Sequence, residues 1–281
     1  MKNEKLIFGV MSGTSLDGID VVLIKIANNN IKLLDFAHKP YSNKLANALL
    51  LIQKPSHNDL ELSIELGLLH AKATASMINT ILKKLNINPK KVCCIGYHGQ
   101  TIRHQPLKKF SLQIGNAHLL AEKTNIAVVA DFRNRDIVAG GQGAPLVPSF
   151  HQKVFTSRTK NRVIINIGGI SNLTFLKTNH KLIGFDCGPG NLLLDHWVKK
   201  NKNKNYDDQG KWASTGNIIS NLLTEFMKEP FFQKKPPKST GRDLFNSSWL
   251  EKFDYKKENP EDVQRTLLEL TAVSINFAIK R

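Results

Sequence analysis

The sequence predicts an α/β fold of duplicated design, and three observations support this prediction. Residues 6–26 and 163–176 each have the pattern of a strand, a small-residue turn and a second strand, about 155 residues apart. Amphipathic helical segments follow the first of these hairpins, and a further helix is predicted after residue 191. A carboxylate- and glycine-containing segment, residues 184–191, lies just ahead of that helix. Two hairpins with glycine at their tips suggest a fold that holds a polyphosphate from two sides, although ordinary hairpins also use Gly-Gly turns.

Composition places the chain among globular proteins. Its 281 residues are enough for one large or two ordinary domains, and 41% of them are hydrophobic and 7% aromatic. No apolar run is long enough for a membrane span, and the first residues lack the hydrophobic block of a signal peptide. The three cysteines have no metal-ligand spacing, so a structural zinc site is not expected. We therefore expect a cytoplasmic protein.

The formal net charge of +17 suggests nucleic-acid binding at first, but its distribution does not. Only 8 of the 40 basic residues are arginine, and the lysines are scattered among asparagines, as in residues 201–205. Base reading favours arginine, and single-strand binding favours aromatic residues interleaved with basic ones. The favoured interpretation is a solvated lysine surface. Neither a nucleic acid nor a membrane is an expected partner, and binding to DNA at physiological salt would reverse that expectation.

The first hairpin comes directly after the N-terminus, with strands over residues 6–10 and 21–26 and another strand over residues 31–37. Its loop carries hydroxyl groups, two glycines and two carboxylates. Backbone N–H groups and hydroxyls suit phosphate oxygens, and an aspartate can hold Mg²⁺ directly or through water. No Gly-Lys-Ser/Thr sequence follows, so this is not a Walker loop.

Two helices are predicted next, over residues 44–51 and 59–85, and then a buried strand over residues 91–95. The predicted end of that strand delivers a polar cluster, residues 96–104, which resembles the lining of a polar ligand site. Within it His98 is a candidate catalyst, but a hydrogen-bonded core histidine is the favoured interpretation.

A third polar segment follows a strand over residues 127–130. Asp131 and Asp136 flank Arg133 and Arg135 there. They form either an anionic-substrate contact or a salt-bridged hinge between lobes. A glycine-rich turn over residues 139–146 then leads into a helix over residues 147–154.

Asp186 is the best candidate base in the chain. Residues 181–183 predict a strand and residues 192–199 a helix, which places this carboxylate on a rigid turn beside unpaired helix N–H groups. A phosphoryl-transfer enzyme would carry its base in such a position. The alternative is an Asx-turn that merely closes the strand. Further helices are predicted over residues 217–227 and 261–280.

Taken together, the motifs resemble those of the anhydro-N-acetylmuramic acid kinase family over essentially the whole chain and in matching order. The residues that carry this resemblance are Met11–Gly18, Gly99–His104, Asp131–Arg133, Gly140–Pro148, Asn166–Gly169, Phe185–Asn191, Lys238–Arg242 and Phe245–Asn246.

The resemblance implies a two-lobed sugar kinase of the actin/hexokinase-like (ribonuclease H-like) superfamily, with a mixed sheet flanked by helices in each lobe. Residues 1–138 would form the N-terminal lobe, with the phosphate hairpin and sugar-side motifs, and residues 139–281 the C-terminal lobe. Such an enzyme uses ATP and Mg²⁺ to convert 1,6-anhydro-N-acetylmuramic acid and water into N-acetylmuramic acid 6-phosphate, which recycles cell-wall sugar. The amino sugar and ATP are the implied partners, and a homodimer is left open.

The resemblance also assigns roles to residues. Asp186 is implied as the general base that activates water, with Asp131 or Asp136 as the replacement candidates. No direct protein ligand to the metal is assigned. The implied ATP and phosphate contacts are Gly13, Thr14, Ser15, Leu16, Asp17, Gly18, Ile19, Asp20, Gly168 and Gly169. The implied substrate contacts are His98, Gln100, Thr101, Arg103, Asp131, Arg133, Gly188 and Asn191.

In one respect the sequence departs from the family pattern. Family members continue past the last predicted helix into an adenosine-binding loop, so we expect the second lobe to be incomplete and the kinase activity to be weak or absent. The alternative function is therefore a catalytically inactive remnant, or half of a split enzyme that acts as a partner-binding module. A neighbouring reading frame that encodes the adenosine loop would favour the split enzyme.

Overall fold

The computed structural model describes residues 4–14, 16–28, 30–53, 58–177 and 182–280. The chain divides into two compact units, Met1–Gly143 and Ala144–Arg281, and the boundary lies in the predicted glycine-rich turn. Each unit contains a sheet flanked by helices, which confirms the predicted α/β class.

The described part of the first unit contains one mixed sheet with strand order β3-β2-β1-β4-β5, and β6 pairs with β4. Strands β1 to β3 form an antiparallel meander, whereas β4 runs parallel to β1 and to β6. The β1–β2 connection is the predicted first hairpin. The strands are β1 Lys5–Ser12, β2 Gly18–Ala27, β3 Asn30–Pro40, β4 Val92–Gln105, β5 Phe110–Ile114 and β6 Val128–Ala130.

The prediction that strand β4 ends at residue 95 was wrong. The strand continues to Gln105, so the polar cluster of residues 96–104 lies within a strand. Gly99 adopts a φ of +69°, and the strand changes partners near it. Before this glycine β4 pairs with β1 and β6, and beyond it β4 pairs antiparallel with β5, while Gln100 still pairs with Ser12 of β1. The sequence pattern suggested a loop because glycine interrupts the apolar run, but the glycine instead supplies a bend within the strand.

Four α-helices are described in the first unit, and the longest of them packs on the sheet. Helix α2 contributes Ala75, Ile78 and Ile81 to a core that also contains Phe8 and Ile95. A smaller cluster around Leu49, Leu66 and Ile114 receives the β1–β2 loop. The helices are α1 Asn43–Leu51, α2 Asp59–Lys84, α3 Ala117–Thr124 and α4 Phe132–Val138.

The described sheet of the second unit is antiparallel, with order β7-β8-β9. Side chains alternate between its two faces. One face carries Leu173, Phe185 and Cys187, which pack with Ile275 and Ala278. The opposite face carries the polar residues discussed below. The strands are β7 Arg162–Ile167, β8 Ile170–Leu176 and β9 Ile183–Pro189, and Lys181 of the predicted lead-in lies outside the described residues.

The helices of the second unit enclose a core rich in aromatic rings, including Phe226, Phe245 and Trp249. The ring centroids of Phe226 and Trp249 are 5.3 Å apart, and those of Phe245 and Trp249 are 5.2 Å apart. The helices are α5 Pro148–Phe155, α6 Leu192–Lys202, α7 Ser220–Met227, α8 Pro230–Gln233, α9 Ser247–Leu250 and α10 Pro260–Lys280. The predicted helices after residues 191, 217 and 261 are therefore confirmed, with shifts of a few residues at their ends.

Candidate active site

The tip of the first hairpin is anchored by its own apolar residue. Leu16 has a φ of +60° and is only 9% exposed, because its side chain enters the cluster around Leu49 and Leu66. A Cβ at Gly18 would collide with the carbonyl oxygen of Lys39, so this position requires glycine. Asp17 stays exposed. The tip is thus a fixed turn, and the predicted phosphate contact Ser15 lies outside the described residues.

Two further predicted contacts, Ile19 and Asp20, lie near the start of β2. Ile19 is buried in the core at 1% exposure, so its side chain is not available to a ligand. Asp20 accepts a hydrogen bond from Nδ1 of His38 at 2.8 Å, and both side chains are about half exposed.

Three buried side chains, linked by hydrogen bonds, hold the end of β1 next to the same tip. The hydroxyl of Ser12 lies 2.7 Å from Nε2 of His70, and Nδ1 of His70 lies 2.6 Å from the hydroxyl of Tyr97. The three side chains are at most 3% exposed. Burial lowers the pKa of His70 to about 4, so the imidazole is neutral at physiological pH. We call Ser12, His70 and Tyr97 the buried relay; it fixes the end of β1 where the tip begins.

Gln100 also positions the first hairpin. Its amide nitrogen donates to the carbonyl oxygen of Gly13 at 3.0 Å, and its amide oxygen accepts from the hydroxyl of Tyr41 at 3.1 Å. The residue is completely buried. An amide with these partners has little capacity left for a sugar. Gln100, predicted as a substrate contact, therefore supports the loop. Its neighbour Thr101, also predicted as a substrate contact, has a buried hydroxyl with no partner among the described residues.

His98 and Arg133 form a pair within the first unit. Nε of Arg133 donates to Nε2 of His98 at 2.9 Å, and Nδ1 of His98 donates to the carbonyl oxygen of Gly99 at 2.7 Å. The arginine is always a donor, so it fixes the tautomer of the imidazole. Burial, reinforced by the guanidinium, lowers the pKa of His98 to about 4. Both ring nitrogens are therefore occupied, which favours the predicted hydrogen-bonded role over a catalytic one.

A cavity of about 100 Å³ lies beside this pair, lined by His98, Tyr97, Gly115 and Asp131 among others. Ligand pockets are usually ~300–1,000 Å³, so this one has room for a substituent rather than a whole sugar. Asp131 is exposed, and its carboxylate accepts from the side-chain amide of Asn134 at 2.7 Å. Two predicted substrate residues, His98 and Asp131, thus line one cavity.

Arg103 and Asp136 are engaged elsewhere. The guanidinium of Arg103 donates to the carboxylate of Asp59 at 2.6 Å, and both side chains are about one quarter exposed. The carboxylate of Asp136 accepts from the backbone N–H of Gly143 at 2.7 Å and would collide with a Cβ at Gly141. Arg103 therefore ties β4 to the start of α2, and Asp136 shapes the glycine-rich turn.

In the second unit, the Gly168-Gly169 tip is bound to the start of α6. The N–H of Asn191 donates to the carbonyl oxygen of Gly168 at 2.8 Å, and the N–H groups of Gly190 and Leu192 donate to that of Gly169 at 2.9 and 3.1 Å. The expectation of unpaired N–H groups at this helix start was therefore wrong at these three positions, because the neighbouring hairpin supplies acceptors. A Cβ at Gly168 or Gly169 meets nothing nearer than 3.7 Å, so open space lies beside the tip.

Asp186 lies inside strand β9 and not on a turn. The residue is 6% exposed, and its carboxylate accepts from the backbone N–H of Thr240 at 2.9 Å. Its own N–H donates to the carbonyl oxygen of Lys238 at 3.1 Å. The Asx-turn interpretation was therefore wrong, because the carboxylate binds a segment 54 residues away. The ammonium group of Lys238, which is 9% exposed, holds this segment by donating to the carbonyl oxygens of Phe231 and Phe232.

A row of polar side chains crosses the second sheet at Asp186. Asn172 lies directly opposite Asp186 in β8, and Asn166 lies opposite Asn172 in β7. Directly opposed residues project from the same face of a sheet. The Gly168-Gly169 tip begins three residues along β8 from Asn172, roughly 10 Å away. Gly188, predicted as a substrate contact, instead packs tightly against the Phe232 ring and Ser274.

Sequence reasoning missed several of these groups. Asn172, His70 and Tyr41 gave no local signal, because each acts through a partner distant in the chain. Asp195 was also missed: burial raises its pKa to about 6, and Arg242 opposes that shift. Burial lowers the pKa of Arg242, and Asp195 opposes it. An acidic residue in the first turn of a predicted helix is usual, so its pattern did not distinguish it.

The described residues contain no group of three or more histidine, cysteine, aspartate or glutamate side chains that could hold a metal ion. Among the helices in the described ranges, none is long and apolar enough to cross a membrane.

Comparison with known proteins gives a consistent family. The family model for anhydro-N-acetylmuramic acid kinase matches residues 5–281. The anhydro-N-acetylmuramic acid kinase of Nitrosospira multiformis is 48% identical over 269 residues, which cover 95% of this chain and 74% of the relative. The enzyme of the same name from Nitrosomonas europaea is 45% identical over 274 residues, which cover 97% of this chain and 76% of the relative.

Similarity to solved structures is much weaker. A PPX-GPPA enzyme of Aquifex aeolicus is 8% identical with a TM-score of 0.44, covering 98% of this chain and 91% of that one. A second crystal structure of the Aquifex aeolicus Ppx/GppA family member is also 8% identical, with a TM-score of 0.40, and covers 92% and 73% of the two chains. Values this low support no inference about function.

Proposed function

The chain belongs to the anhydro-N-acetylmuramic acid kinase family, and we propose that it phosphorylates 1,6-anhydro-N-acetylmuramic acid at the expense of ATP in cell-wall recycling. In this reaction Asp186 takes a proton from water while the water oxygen bonds to the anomeric carbon. The bond between that carbon and the bridging oxygen breaks. The bridging oxygen then takes the γ-phosphoryl group, and ADP leaves with the electron pair of the broken phosphate bond.

The placement of Asp186 is the observation that carries this proposal. The carboxylate is almost completely buried, is oriented by the N–H of Thr240 and shares a sheet face with Asn172. A general base needs a fixed direction towards the proton that it removes, and the backbone N–H of Thr240 fixes one carboxylate oxygen of Asp186 in place. Asp131 is exposed and Asp136 serves a turn, so neither offers an equivalent arrangement.

We propose ATP as cosubstrate and Mg²⁺ as cofactor, and each hairpin by itself has features that suit them. In the second unit, open space beside Gly168 and Gly169 lets a phosphate approach the backbone, and in the first unit the N–H of Leu16 donates to the carbonyl oxygen of Gly13 beside the exposed Asp17. Mg²⁺ in phosphoryl-transfer sites commonly keeps several waters and takes one or two carboxylates, which the exposed Asp17 and half-exposed Asp20 would supply. When bound, the metal neutralises charge on the transferring phosphate.

The cavity beside His98 is our candidate for the sugar side of the reaction. The Nδ1 and Nε2 atoms of His98 are already hydrogen-bonded, so His98 would shape this cavity, while Asp131 would present a carboxylate to a sugar hydroxyl. We also propose a cytoplasmic location, where ATP is available.

An ATP-dependent phosphorylation assay with the anhydro-sugar tests the proposal. Asp186→Asn should lower kcat by about 10²–10⁴-fold, because general-base catalysis contributes that much. Asp207→Asn is a matched control: its carboxylate also accepts backbone N–H groups, from Trp212 and Ala213, but shapes a turn. The control should keep its kcat. Unchanged turnover by a folded Asp186→Asn protein would remove Asp186 as the base and make Asp131 and Asp136 the next candidates.

A further inference from the structure

Two side-chain oxygens beside Asp186 are buried without a hydrogen-bond partner in the described part of the chain. They are Oγ1 of Thr240 and Oδ1 of Asn172. Most buried polar atoms in folded proteins are paired, because an unpaired one loses its hydration without compensation. Two such atoms next to one buried carboxylate therefore require an explanation, and neither packing nor the hydrogen bonds described above supplies one.

Both oxygens are positioned by contacts that already define Asp186. Thr240 donates its backbone N–H to the carboxylate at 2.9 Å, and its hydroxyl oxygen is only three covalent bonds from that nitrogen. Asn172 is the direct cross-strand partner of Asp186, so the two side chains project from the same face. The amide of Asn172 offers an acceptor and a donor in either orientation, so the argument does not depend on how the amide is turned.

The surrounding fold does not need these polar groups. Thr174 also lies on β8, two residues from Asn172, and its buried hydroxyl is satisfied by Nδ1 of His151 at 3.0 Å. The hydroxyl of Thr174 is thus paired within the fold, whereas Oγ of Ser171 in the same strand is also buried without a partner among the described residues. At Thr240 a valine has the same shape and would leave no unpaired oxygen. Strained or unsatisfied groups of this kind concentrate at functional sites.

We propose that Asn172 and Thr240 are substrate-contacting residues that orient the reacting water against Asp186. This inference rests on the proposed kinase function. The water donates one hydrogen to Asp186 and the other to Oδ1 of Asn172, and one of its lone pairs accepts from the hydroxyl of Thr240. Its remaining lone pair then points to the anomeric carbon. The four interactions complete the coordination of one water and satisfy both unpaired oxygens.

The test compares isosteric variants by activity and by stability. Thr240→Val keeps the backbone N–H to Asp186 and removes only the hydroxyl, so kcat should fall about 10–100-fold with the KM for ATP unchanged. Its midpoint of thermal unfolding should stay the same or rise, because the variant removes an unpaired buried hydroxyl. Thr240→Ser should recover most of the activity, and Asn172→Leu should behave like Thr240→Val.

Thr174→Val is the control with the opposite expectation. It removes a paired hydroxyl, so its unfolding midpoint should fall while kcat is retained. Full activity of Thr240→Val and Asn172→Leu would overturn the inference, and so would a loss of activity that merely follows a loss of folded protein. If Asp186→Asn is inactive and these two variants are fully active, the kinase proposal stands and only this inference fails. If the wild-type chain does not phosphorylate the anhydro-sugar at all, both fail.

Discussion

Gly190→Ala is expected to damage the second unit at the point where its glycine tip meets α6. A Cβ at residue 190 would collide with the carbonyl oxygen of Gly168 and would lie 3.0 Å from the hydroxyl of Ser171. The Gly168 carbonyl is backbone and also accepts from the N–H of Asn191. The overlap therefore cannot be relieved by turning a side chain, and the tip must move away from the end of β9.

The size of the effect follows from these contacts. Overpacking costs about 1–3 kcal/mol, and each backbone hydrogen bond lost adds about 0.5–1.5 kcal/mol. With one or two of the three tip bonds broken, the free energy of unfolding should fall by about 1.5–6 kcal/mol. At about 2–4 °C per kcal/mol for a domain of this size, the unfolding midpoint should drop by roughly 3–24 °C.

Differential scanning calorimetry measures this change, with Gly169→Ala as the comparison. A Cβ at Gly169 meets only the Cβ of Leu192 at 3.8 Å, so its unfolding midpoint should stay close to that of the wild type. Because Gly169 is a proposed phosphate contact, this variant should instead raise the KM for ATP. A midpoint for Gly190→Ala within about 2 °C of the wild type would refute the reasoning, since the tip would then have moved at no cost.

Two further predictions concern the first unit. The pKa of His70 is about 4 in the folded state and about 6.5 in the unfolded state. The neutral imidazole therefore contributes fully to the free energy of unfolding above pH 6.5. That contribution, about 3 kcal/mol, is lost as the pH falls towards 4. Urea unfolding at about pH 7 and pH 4.5 should show a smaller difference for His70→Gln than for the wild type; equal differences would mean that another group causes the acid sensitivity. For Arg103 and Asp59, a double-mutant cycle of Arg103→Gln and Asp59→Asn should give a coupling of about 1 kcal/mol, because the pair is only partly exposed. The KM for the anhydro-sugar should stay unchanged in Arg103→Gln. A large rise in this KM would instead indicate that Arg103 contacts the substrate.

The features predicted correctly from the sequence are those that depend on local residue patterns. The two hairpins, the long helix α2 and the helix after Asn191 follow from apolar periodicity and from glycine at the turns, and all are present. Asp186 was predicted as the base because a carboxylate precedes a glycine-rich turn and a helix start, although short motifs of this kind often match by chance. The length of β4 was mispredicted for the same reason, since Gly99 has the local signature of a loop and the tertiary role of a bend.

What the sequence could not predict depends on partners distant in the chain. The buried relay joins residues on β1, α2 and β4, and no local pattern marks His70 as the link between two hydroxyls. The amides at the start of α6 were expected to be free because the carbonyl groups that bind them come from Gly168 and Gly169. Pairings of this kind are set by the topology of the fold, so local sequence patterns do not predict them.

The local setting of Asp186 shows why a strand is a better place than a turn for this carboxylate. In a turn, an aspartate tends to bind its own backbone two residues on, which uses the oxygen that a base needs. In β9 the backbone of Asp186 pairs with β8 on one side and donates to the carbonyl oxygen of Lys238 on the other. The segment 238–240 then supplies one N–H from outside and places a hydroxyl beside it. Two separate chain segments hold Asp186, so a change in either segment can alter the contacts of its carboxylate. Thr240→Val is therefore expected to change the contact between Asp186 and the reacting water while the position of Asp186 is preserved.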